Sequence, residues 1–239
     1  PFFYLENFID EPLVLISNKE KEINCFSNVC THRGNILVEK PCSLKSNLQC
    51  RYHGRKFSLD GKCTFMPKFD DVEGFPAKCD DLTKIPISKW RQFIFCSLNN
   101  TNSLNAFFSE MEKRIGWMPI EQFIYSDSLS RDYYVKSNWA LYCDNYLEGF
   151  HIPFVHEDLS KHFRYNDYSV ETFPLSSLQL GVGKDSKNCF ELPQKSIDYG
   201  KNILAYYFWV FPNMMFNFYP WGLSINIVKP ISNDLTKVS

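Results

Sequence analysis

Two short segments of this sequence each combine one cysteine with one histidine. The first is Cys-Thr-His at positions 30–32, and the second is Cys-Arg-Tyr-His at positions 50–53. Gly34 and Gly54 follow them closely, and glycine adopts tight-turn conformations at no steric cost. Both segments are therefore predicted to form tight loops. A chain that must bring two such loops together has few folds available to it.

The four side chains allow three interpretations. Two thiolates on one iron and two imidazoles on the other form the ligand set of a Rieske [2Fe–2S] cluster. Two cysteines and two histidines can also hold one zinc ion, or their pairing can be coincidental. Zinc fingers usually pair like with like, whereas each loop here mixes the two residue types. We therefore predict that a [2Fe–2S] cluster is held by Cys30, His32, Cys50 and His53.

A second histidine pair lies in the segment 144–156, which reads Asp-Asn-Tyr-Leu-Glu-Gly-Phe-His-Ile-Pro-Phe-Val-His. Residues three, four and seven apart share one face of an α-helix. The spacing therefore predicts a helix that carries Asp144, Glu148 and His151 on one face.

His156 does not fit that face, because five residues turn a helix about 140° past His151. Pro153 is expected to end or distort the helix near His151, so that the following chain can bring His156 back to the same point. Two imidazoles beside acidic groups suit a divalent first-row metal, as in two-histidine, one-carboxylate iron sites. The alternative is two histidines that only form hydrogen bonds near a helix end.

Taken together, these motifs resemble the α subunits of Rieske-type non-haem iron oxygenases, which include aromatic-ring-hydroxylating dioxygenases and their monooxygenase and demethylase relatives. The segments at 30–34 and 50–54 are similar to the cluster loops of that family. The segment at 144–151, with His156 five positions on, is similar to its iron motif, and within the family to the choline-monooxygenase-like branch. The resemblance covers nearly the whole chain.

The resemblance implies an α+β fold with two domains. Residues 1–100 are expected to form an all-β Rieske [2Fe–2S] domain. Residues 101–239 are expected to form a helix-grip catalytic domain, in which an antiparallel sheet surrounds a long helix. Family members are longer at both ends, so we expect this chain to be truncated at both ends.

The residues of the first domain agree with this expectation. Many short strand-like runs with turn signals between them are typical of a small β-sandwich or barrel. Two of the runs flank Asp60-Gly61, a dipeptide that is favoured in hairpin turns. Polar residues 99–102 mark the domain boundary. The strand-like runs are 13–17, 23–26, 55–59, 62–65 and 92–98.

The second domain begins with helical patterns and ends with strands. The spacing predicts a helix over 107–115 and a strand over 128–136, and Asn138 is a candidate N-cap for the helix of the histidine motif. Polar residues 157–166 predict a loop, in which His162 is a surface histidine. Antiparallel strands are predicted over 204–211, 214–219 and 223–228.

The resemblance also implies roles for the iron-site residues. His151 and His156 would hold a mononuclear Fe(II) together with a third, carboxylate ligand that we expect beyond Ser239. Glu148 occupies the position of the acidic residue that bridges the cluster of one subunit and the iron of its neighbour in a ring-shaped homotrimer. Asp144 would support a metal ligand, or would be an ordinary helix-face acid.

Partners follow from the same resemblance. A reductase or ferredoxin would deliver electrons from NAD(P)H, and O2 and a small organic molecule would be the substrates. Arg55 stands where the family commonly has tryptophan, and we expect little consequence. Four aromatic residues are candidates for a pocket wall, with core packing as the alternative: Tyr206, Phe208, Phe216 and Phe218.

Composition excludes several other classes of protein. With 26 basic and 27 acidic residues the net charge is −1, which gives no attraction for nucleic acid or an anionic membrane. Residues 203–219 are apolar but are interrupted by Pro212 and two asparagines, so we predict strands and no membrane span. Seven of the nine cysteines lie outside the cluster motif, and we interpret them as buried thiols of a cytoplasmic protein.

Three functions are compatible with these residues. The leading hypothesis is the oxygenase component of a Rieske system, which hydroxylates or demethylates a small organic molecule. The second is a Rieske electron-transfer protein without catalysis of its own, which the first hundred residues alone would permit. The third is a zinc-binding interaction module, which the mixed cysteine and histidine loops disfavour.

Overall fold

A computed structural model describes residues 1–99, 103–156, 161 and 163–239 of the chain. The described residues form two compact units. The first contains Pro1–Lys89 and residues 93–99, and the second contains Trp90–Gln92 and the described residues from 103 onward.

The first unit consists of short antiparallel strands. A four-stranded sheet has the order β1-β2-β3-β7, a three-stranded sheet has the order β4-β5-β6, and β8 pairs with β9. A single 3-10 turn, Lys78–Asp80, is described in this unit. The strands are β1 Phe2–Tyr4, β2 Glu11–Ser17, β3 Ile23–Ser27, β4 Asn47–Gln49, β5 Lys56–Ser58, β6 Cys63–Phe65, β7 Lys84–Ile85, β8 Ile87–Trp90 and β9 Phe93–Cys96.

The core of the first unit reaches the cysteines of the two predicted cluster loops. Phe57 and Leu48 alternate with exposed or half-buried neighbours along β5 and β4, so one face of this sheet is buried. Cys30 and Cys50 belong to the same buried cluster as these two residues and Phe26. Packing of the sheets therefore fixes where the two loops begin.

The second unit is built on one antiparallel sheet of seven strands, in the order β10-β16-β15-β14-β13-β12-β11. The strands are β10 Tyr133–Val135, β11 Ser169–Phe173, β12 Ser176–Val182, β13 Ile203–Val210, β14 Met214–Tyr219, β15 Gly222–Ser232 and β16 Leu235–Val238. The helices are α1 Leu104–Ile115, α2 Trp139–Leu147 and α3 Ile152–Val155, with 3-10 turns at Ile120–Gln122, Asp127–Leu129 and Tyr165–Asp167.

Helices α1 and α2 pack on opposite faces of this sheet. Phe108 of α1 meets the ring of Phe216 edge-on, with 5.6 Å between the ring centroids. Cys143 of α2 packs against Met215, the neighbour of Phe216 in β14. Successive residues of a strand point to opposite faces, so the two helices cover different sides.

Several predictions of secondary structure are confirmed, and one is wrong in part. The strands over 204–211, 214–219 and 223–228 correspond to β13, β14 and β15. Of the strand predicted over 128–136, only β10 forms. The first residues of the predicted strand instead belong to the 3-10 turn Asp127–Leu129. The Ser130 hydroxyl donates a hydrogen bond to the carbonyl of Ser126, which stabilises this turn in place of a strand. The loop predicted over 157–166, with His162, lies largely outside the described residues.

The four candidate pocket aromatics are core residues. Tyr206, Phe208, Phe216 and Phe218 are at most 1% exposed. Phe208 and Phe216 are paired across β13 and β14 on the side of the sheet that α1 covers. The alternative of core packing therefore holds for them.

The nine cysteines are all free thiols. Cys25, Cys63 and Cys143 are buried as expected, but Cys42 and Cys79 are exposed. The prediction of buried thiols is wrong for the latter two, since both lie in polar loop segments outside the core. No helix in the described ranges is long and apolar enough to cross a membrane.

The Asp60-Gly61 turn gives a prediction for stability. Gly61 has φ +83°, and a Cβ there would lie 2.4 Å from Cε1 of the buried Phe26 ring. Gly61→Ala should therefore lower the free energy of unfolding by about 1–3 kcal/mol more than a glycine substitution without a clash, because the Phe26 ring must move. Urea denaturation measures the difference.

Gly74→Ala is the matched control. Gly74 has φ +77°, so alanine meets the same backbone strain, but no atom lies within 4 Å of its Cβ position. Equal destabilisation by the two substitutions would show that contact with Phe26 does not govern the turn.

Candidate metal centres

Both cluster segments are the tips of antiparallel hairpins of equal length. A bridge between Val29 and Ile36 closes the loop 30–35, and the pairing of Gln49 with Lys56 closes the loop 50–55. Each tip therefore begins with the cysteine, directly after the closing pair.

The two loops also share one hydrogen-bond pattern. The amide of Cys30 donates to the carbonyl of Asn35 and that of Cys50 donates to Arg55, each at 2.8 Å. The amides of Gly34 and Gly54 donate back to the carbonyls of the cysteines, each at 3.0 Å. These glycines have φ +72° and +78°, a conformation that other residues rarely adopt. The predicted tight turns are thus present in both loops.

The loops bring the four predicted ligands together. The imidazoles of His32 and His53 lie with 4.8 Å between ring centroids. Cys30 and Cys50 are each 2% exposed. Burial raises the pKa of the Cys30 thiol, and the neighbouring Cys50 raises that pKa further. Two thiols and two imidazoles therefore converge in one region of the first unit.

The state of His32 fits a metal ligand. Its Nδ1 atom is buried and has no hydrogen-bond partner among the described residues. Burial lowers the pKa of His32, and the charges of His53, Arg55 and Arg33 lower it further. A neutral imidazole with an unsatisfied buried nitrogen has a lone pair available for iron. His53 is exposed and lies against Tyr52, with 3.7 Å between ring centroids.

The donor set favours a two-iron cluster over a zinc ion. In the described part of the chain, no three histidine, cysteine or acidic side chains converge on a single ion position. A structural zinc ion needs four ligands within about 2.3 Å of one point, whereas each iron of a Rieske cluster takes only two protein ligands. The residues present therefore fit the cluster, in which Cys30 and Cys50 would hold one iron and His32 and His53 would hold the other.

Arg55 is a residue of this site that the sequence reasoning undervalued. Its side chain is only 4% exposed. Its Nη1 donates to Thr31 Oγ1 at 3.0 Å and pairs with Asp80 Oδ1 at 3.1 Å. Arg55 thus connects its own loop to Thr31 of the other loop and to Asp80. The expectation that replacing tryptophan has little consequence stays a prediction. The sequence does not reveal that the Arg55 side chain is buried, because arginine is usually exposed.

The second motif is organised differently from the prediction. Asn138 is the N-cap of α2, since its Oδ1 accepts the amide of Ala140 at 3.0 Å, as predicted. The helix, however, ends at Leu147, and Glu148 is extended with φ −117° and ψ 153°. The prediction that Asp144, Glu148 and His151 share one helical face is therefore wrong. Asp144 is exposed on α2, and the other two lie beyond its end.

Competing hydrogen bonds explain why α2 stops there. In a continuous helix the carbonyl of Tyr146 would accept the amide of Phe150. Instead, Gln179 Nε2 donates to that carbonyl at 2.5 Å, and the Phe150 amide donates to Glu148 Oε2 at 2.5 Å. Both groups of the next helical bond are thus satisfied elsewhere.

The prediction that Pro153 ends the helix is also wrong. His151 and His156 flank the short helix α3, and Pro153 lies in its first turn. At that position the missing amide of proline costs no helical hydrogen bond. The two rings still converge, with 5.1 Å between their centroids. The expected convergence of the histidines is present, but a separate turn of helix produces it.

Glu148 orients the first histidine. Its Oε1 forms a hydrogen bond with Nδ1 of His151. That hydrogen bond is the main cause that lowers the pKa of the Glu148 carboxyl. A carboxylate accepts the proton of Nδ1, so Nε2 of His151 carries the lone pair that can bind a metal. The arrangement fits a carboxylate–histidine–metal unit.

A polar network holds this segment on the sheet. Tyr168 donates its hydroxyl to Gln179 Oε1 at 2.5 Å, and Tyr146 donates to Asn217 Oδ1 at 2.7 Å. Gly149 packs under the Tyr168 ring, where a Cβ would lie 2.7 Å from Cζ. Sequence reasoning missed these residues, because nothing in the local pattern links positions so far apart.

A third iron ligand is not found among the described residues. Asp198 is fully buried, but it pairs with Arg114 Nε at 2.6 Å and Lys201 Nζ at 2.9 Å. Asp234 accepts the hydroxyl of Ser232 at 2.7 Å. Neither acid is available beside the two histidines, and the carboxylate expected beyond Ser239 stays a prediction.

Comparison with known families agrees with both units. Residues 5–76 match the family described as Rieske [2Fe-2S] domain. Residues 120–239 match the family described as Ring hydroxylating alpha subunit (catalytic domain), which is half of the chain. The chain therefore belongs to the α subunits of Rieske-type ring-hydroxylating oxygenases.

Curated relatives include two monooxygenases. The chain is 27% identical over 250 residues to a chloroplastic choline monooxygenase of Arabidopsis thaliana. It is 26% identical over 232 residues to a carnitine monooxygenase oxygenase subunit of Acinetobacter pittii. These alignments cover 99% and 95% of this chain but only 57% and 60% of the relatives.

Solved structures show the same fold. A quaternary ammonium Rieske monooxygenase in complex with an inhibitor superposes with a TM-score of 0.71 at 22% identity, over 96% of this chain and 61% of that one. Naphthalene 1,2-dioxygenase from Rhodococcus sp. superposes with a TM-score of 0.69 at 18% identity, over 95% and 60%.

The cluster assignment gives a direct prediction. Cys50→Ala should abolish the visible absorbance of the cluster, because one iron would lose half of its protein ligands. His32→Ala should also abolish this absorbance, while the contribution of the second unit to the circular dichroism spectrum is unchanged. Absorbance and labile sulfide are measured together.

Cys63→Ala is the matched control. Cys63 is 5% exposed and belongs to the same buried cluster of residues as Cys50, but it is not a predicted ligand. Loss of the cluster in both cysteine variants would mean that packing, and not ligation, explains the effect.

Proposed function

We propose that this chain is the oxygenase component of a multicomponent Rieske non-haem iron system. The reaction is O2-dependent hydroxylation, as mono- or dioxygenation, or oxidative demethylation of a small organic molecule. The observation that carries the proposal is the pair of converging histidines His151 and His156, the first of them oriented by Glu148, in one chain with the two Rieske loops. An electron-transfer protein needs the loops but has no use for a second metal site.

The chain's own residues have separate tasks. Cys30, His32, Cys50 and His53 would hold the cluster, and His151 and His156 would hold Fe(II). When bound, these groups supply one-electron transfer, at a cluster potential of about −150 to +300 mV, and a reduced iron for O2. Glu148 fixes the ring of His151, and Gln179, which accepts the hydroxyl of Tyr168, fixes the Tyr146 carbonyl just before Glu148.

Assembly and partners follow from this scheme. Electrons come from NAD(P)H through a reductase or ferredoxin, and the exposed His53 is the natural entry or exit point for them. We propose a homotrimer in which Glu148 lies between the iron of one subunit and the cluster of the next. The seven cysteines outside the proposed ligand set form no disulfide among the described residues, which suits the reducing, cytoplasmic compartment that we propose.

A quaternary ammonium compound is the substrate class that we propose to test first. The relatives named above act on choline and carnitine. Aromatic rings attract such cations through their π faces. Four tyrosines gather round Gln179 and Asn217 on the sheet face that α2 covers: Tyr146, Tyr168, Tyr207 and Tyr219.

Labelled oxygen tests the proposal. The full-length protein, loaded with both iron centres and supplied with a reductase, is given a trimethylammonium compound under ¹⁸O2. The product should contain ¹⁸O, or formaldehyde should be released, and a neutral tert-butyl analogue should react less. Electron consumption without any oxygenated product from a panel of small molecules would favour electron transfer alone.

The role of Glu148 is testable separately. Glu148→Gln should leave both metals bound but lower product formation per electron by about 10- to 100-fold, the range typical of residues that orient metal ligands. Stopped-flow reduction of the cluster and product yield are measured on the same sample.

Asp144→Asn provides the comparison. Asp144 is exposed, and the same acid-to-amide change there should leave coupling near that of the unsubstituted protein. Normal coupling in Glu148→Gln would show that Glu148 is not the bridge, and a large loss in Asp144→Asn would restore its proposed supporting role.

A further inference from the structure

We infer that Arg55 is a positioning residue that raises the reduction potential of the cluster, through a buried positive charge that Asp80 balances only in part. The inference rests on the proposed ligand set. It concerns a residue that stands where the family commonly has tryptophan, so it is a property of this chain.

The geometry places the guanidinium between the two loops. Arg55 lies two residues after His53, and its Nη1 donates at 3.0 Å to Thr31, the residue between Cys30 and His32. The Thr31 hydroxyl in turn donates to the carbonyl of Asp80 at 2.6 Å. One side chain thus contacts both cluster loops and the 3-10 turn Lys78–Asp80.

Solvent does not screen this charge well. The Arg55 side chain is 4% exposed, and its guanidinium carbon lies 5.5 Å from the centroid of the Phe75 ring. Its Nε is buried without a hydrogen-bond partner in the described ranges. One guanidinium N–H therefore has no acceptor among the described residues, and water does not reach it to screen the charge.

Asp80 does not cancel the charge. Its side chain is 21% exposed, so water screens the carboxylate more than the guanidinium. The Oδ2 atom of Asp80 also accepts the amide of Ala77 at 2.9 Å, so the carboxylate is shared between two donors. Of the two charges, that of Arg55 is therefore screened less by solvent.

Reduction adds one negative charge to a Rieske cluster, and hydrogen bonds and nearby charge set its potential. A buried cation stabilises the reduced form more than the oxidised form.

The alternative is that Arg55 only ties the loops together. The two explanations differ in the sign of the potential shifts that they predict. If charge governs the potential, removing the cation and removing the anion must shift the potential in opposite directions. If geometry alone matters, both changes loosen the same contact and shift the potential in the same direction.

Midpoint potentials of four variants separate the explanations. The full chain is loaded with cluster, checked by its iron and labile sulfide content, and titrated by spectroelectrochemistry. Arg55→Met should shift the equilibrium toward the oxidised cluster at least about tenfold, which is about 59 mV for one electron. Arg55→Lys should stay near the unsubstituted protein, and Asp80→Asn should shift the potential to more positive values.

Thr31→Val is the matched control, because it removes the hydroxyl contacts of Arg55 and Asp80 without changing any charge. It should leave the potential nearly unchanged. A negative shift in Asp80→Asn, or no shift in a fully loaded Arg55→Met, would overturn the inference. If Arg55→Met does not bind the cluster, the sign of the potential shift in Asp80→Asn, measured relative to Thr31→Val, decides between charge and geometry.

Failure of the proposed function is distinguishable from failure of this inference. A chain that binds no cluster at all refutes the ligand set. A chain that binds a cluster whose potential ignores the charges at positions 55 and 80 refutes the role of Arg55 alone.

Discussion

The pairing that closes the two loops is the constraint on which the rest of the first unit depends. Val29 pairs with Ile36 and Gln49 with Lys56, so each cysteine occupies the first position of a loop of the same length. The cysteines belong to the core, whereas the histidines lie in the middle of the loops, where His53 is exposed. A buried sulfur side and an accessible imidazole side are what an electron-carrying centre requires.

In the second unit, the hydrogen bond of one backbone carbonyl determines where helix α2 ends. The carbonyl of Tyr146 bonds Gln179 on the sheet and so is not available to continue α2. The chain therefore leaves the helix at Glu148, whose carboxylate can turn back to the ring of His151. The proposed iron site thus depends on a hydrogen bond between helix and sheet. A helix that continued past Leu147 would have placed Glu148 and His151 in a different arrangement.

The sequence predicts which residues lie together better than it predicts the backbone that presents them. Cysteine and histidine spacing indicates Cys30, His32, Cys50 and His53, because ligand chemistry restricts residue type strongly. Helical periodicity fails at Glu148, because Gln179 competes from a strand that is distant in sequence. The burial of Arg55 is likewise not predictable from local sequence. It depends on Asp80 and Thr31, which belong to other segments of the chain.

The most direct test of the account is the ratio of iron to acid-labile sulfide in the full-length protein, supplied anaerobically with ferrous iron. Three irons for every two sulfides are expected, since the four loop residues would hold two irons and His151 with His156 would hold one. A ratio of two to two would show that the second site binds no iron, and the oxygenase assignment would then be contradicted.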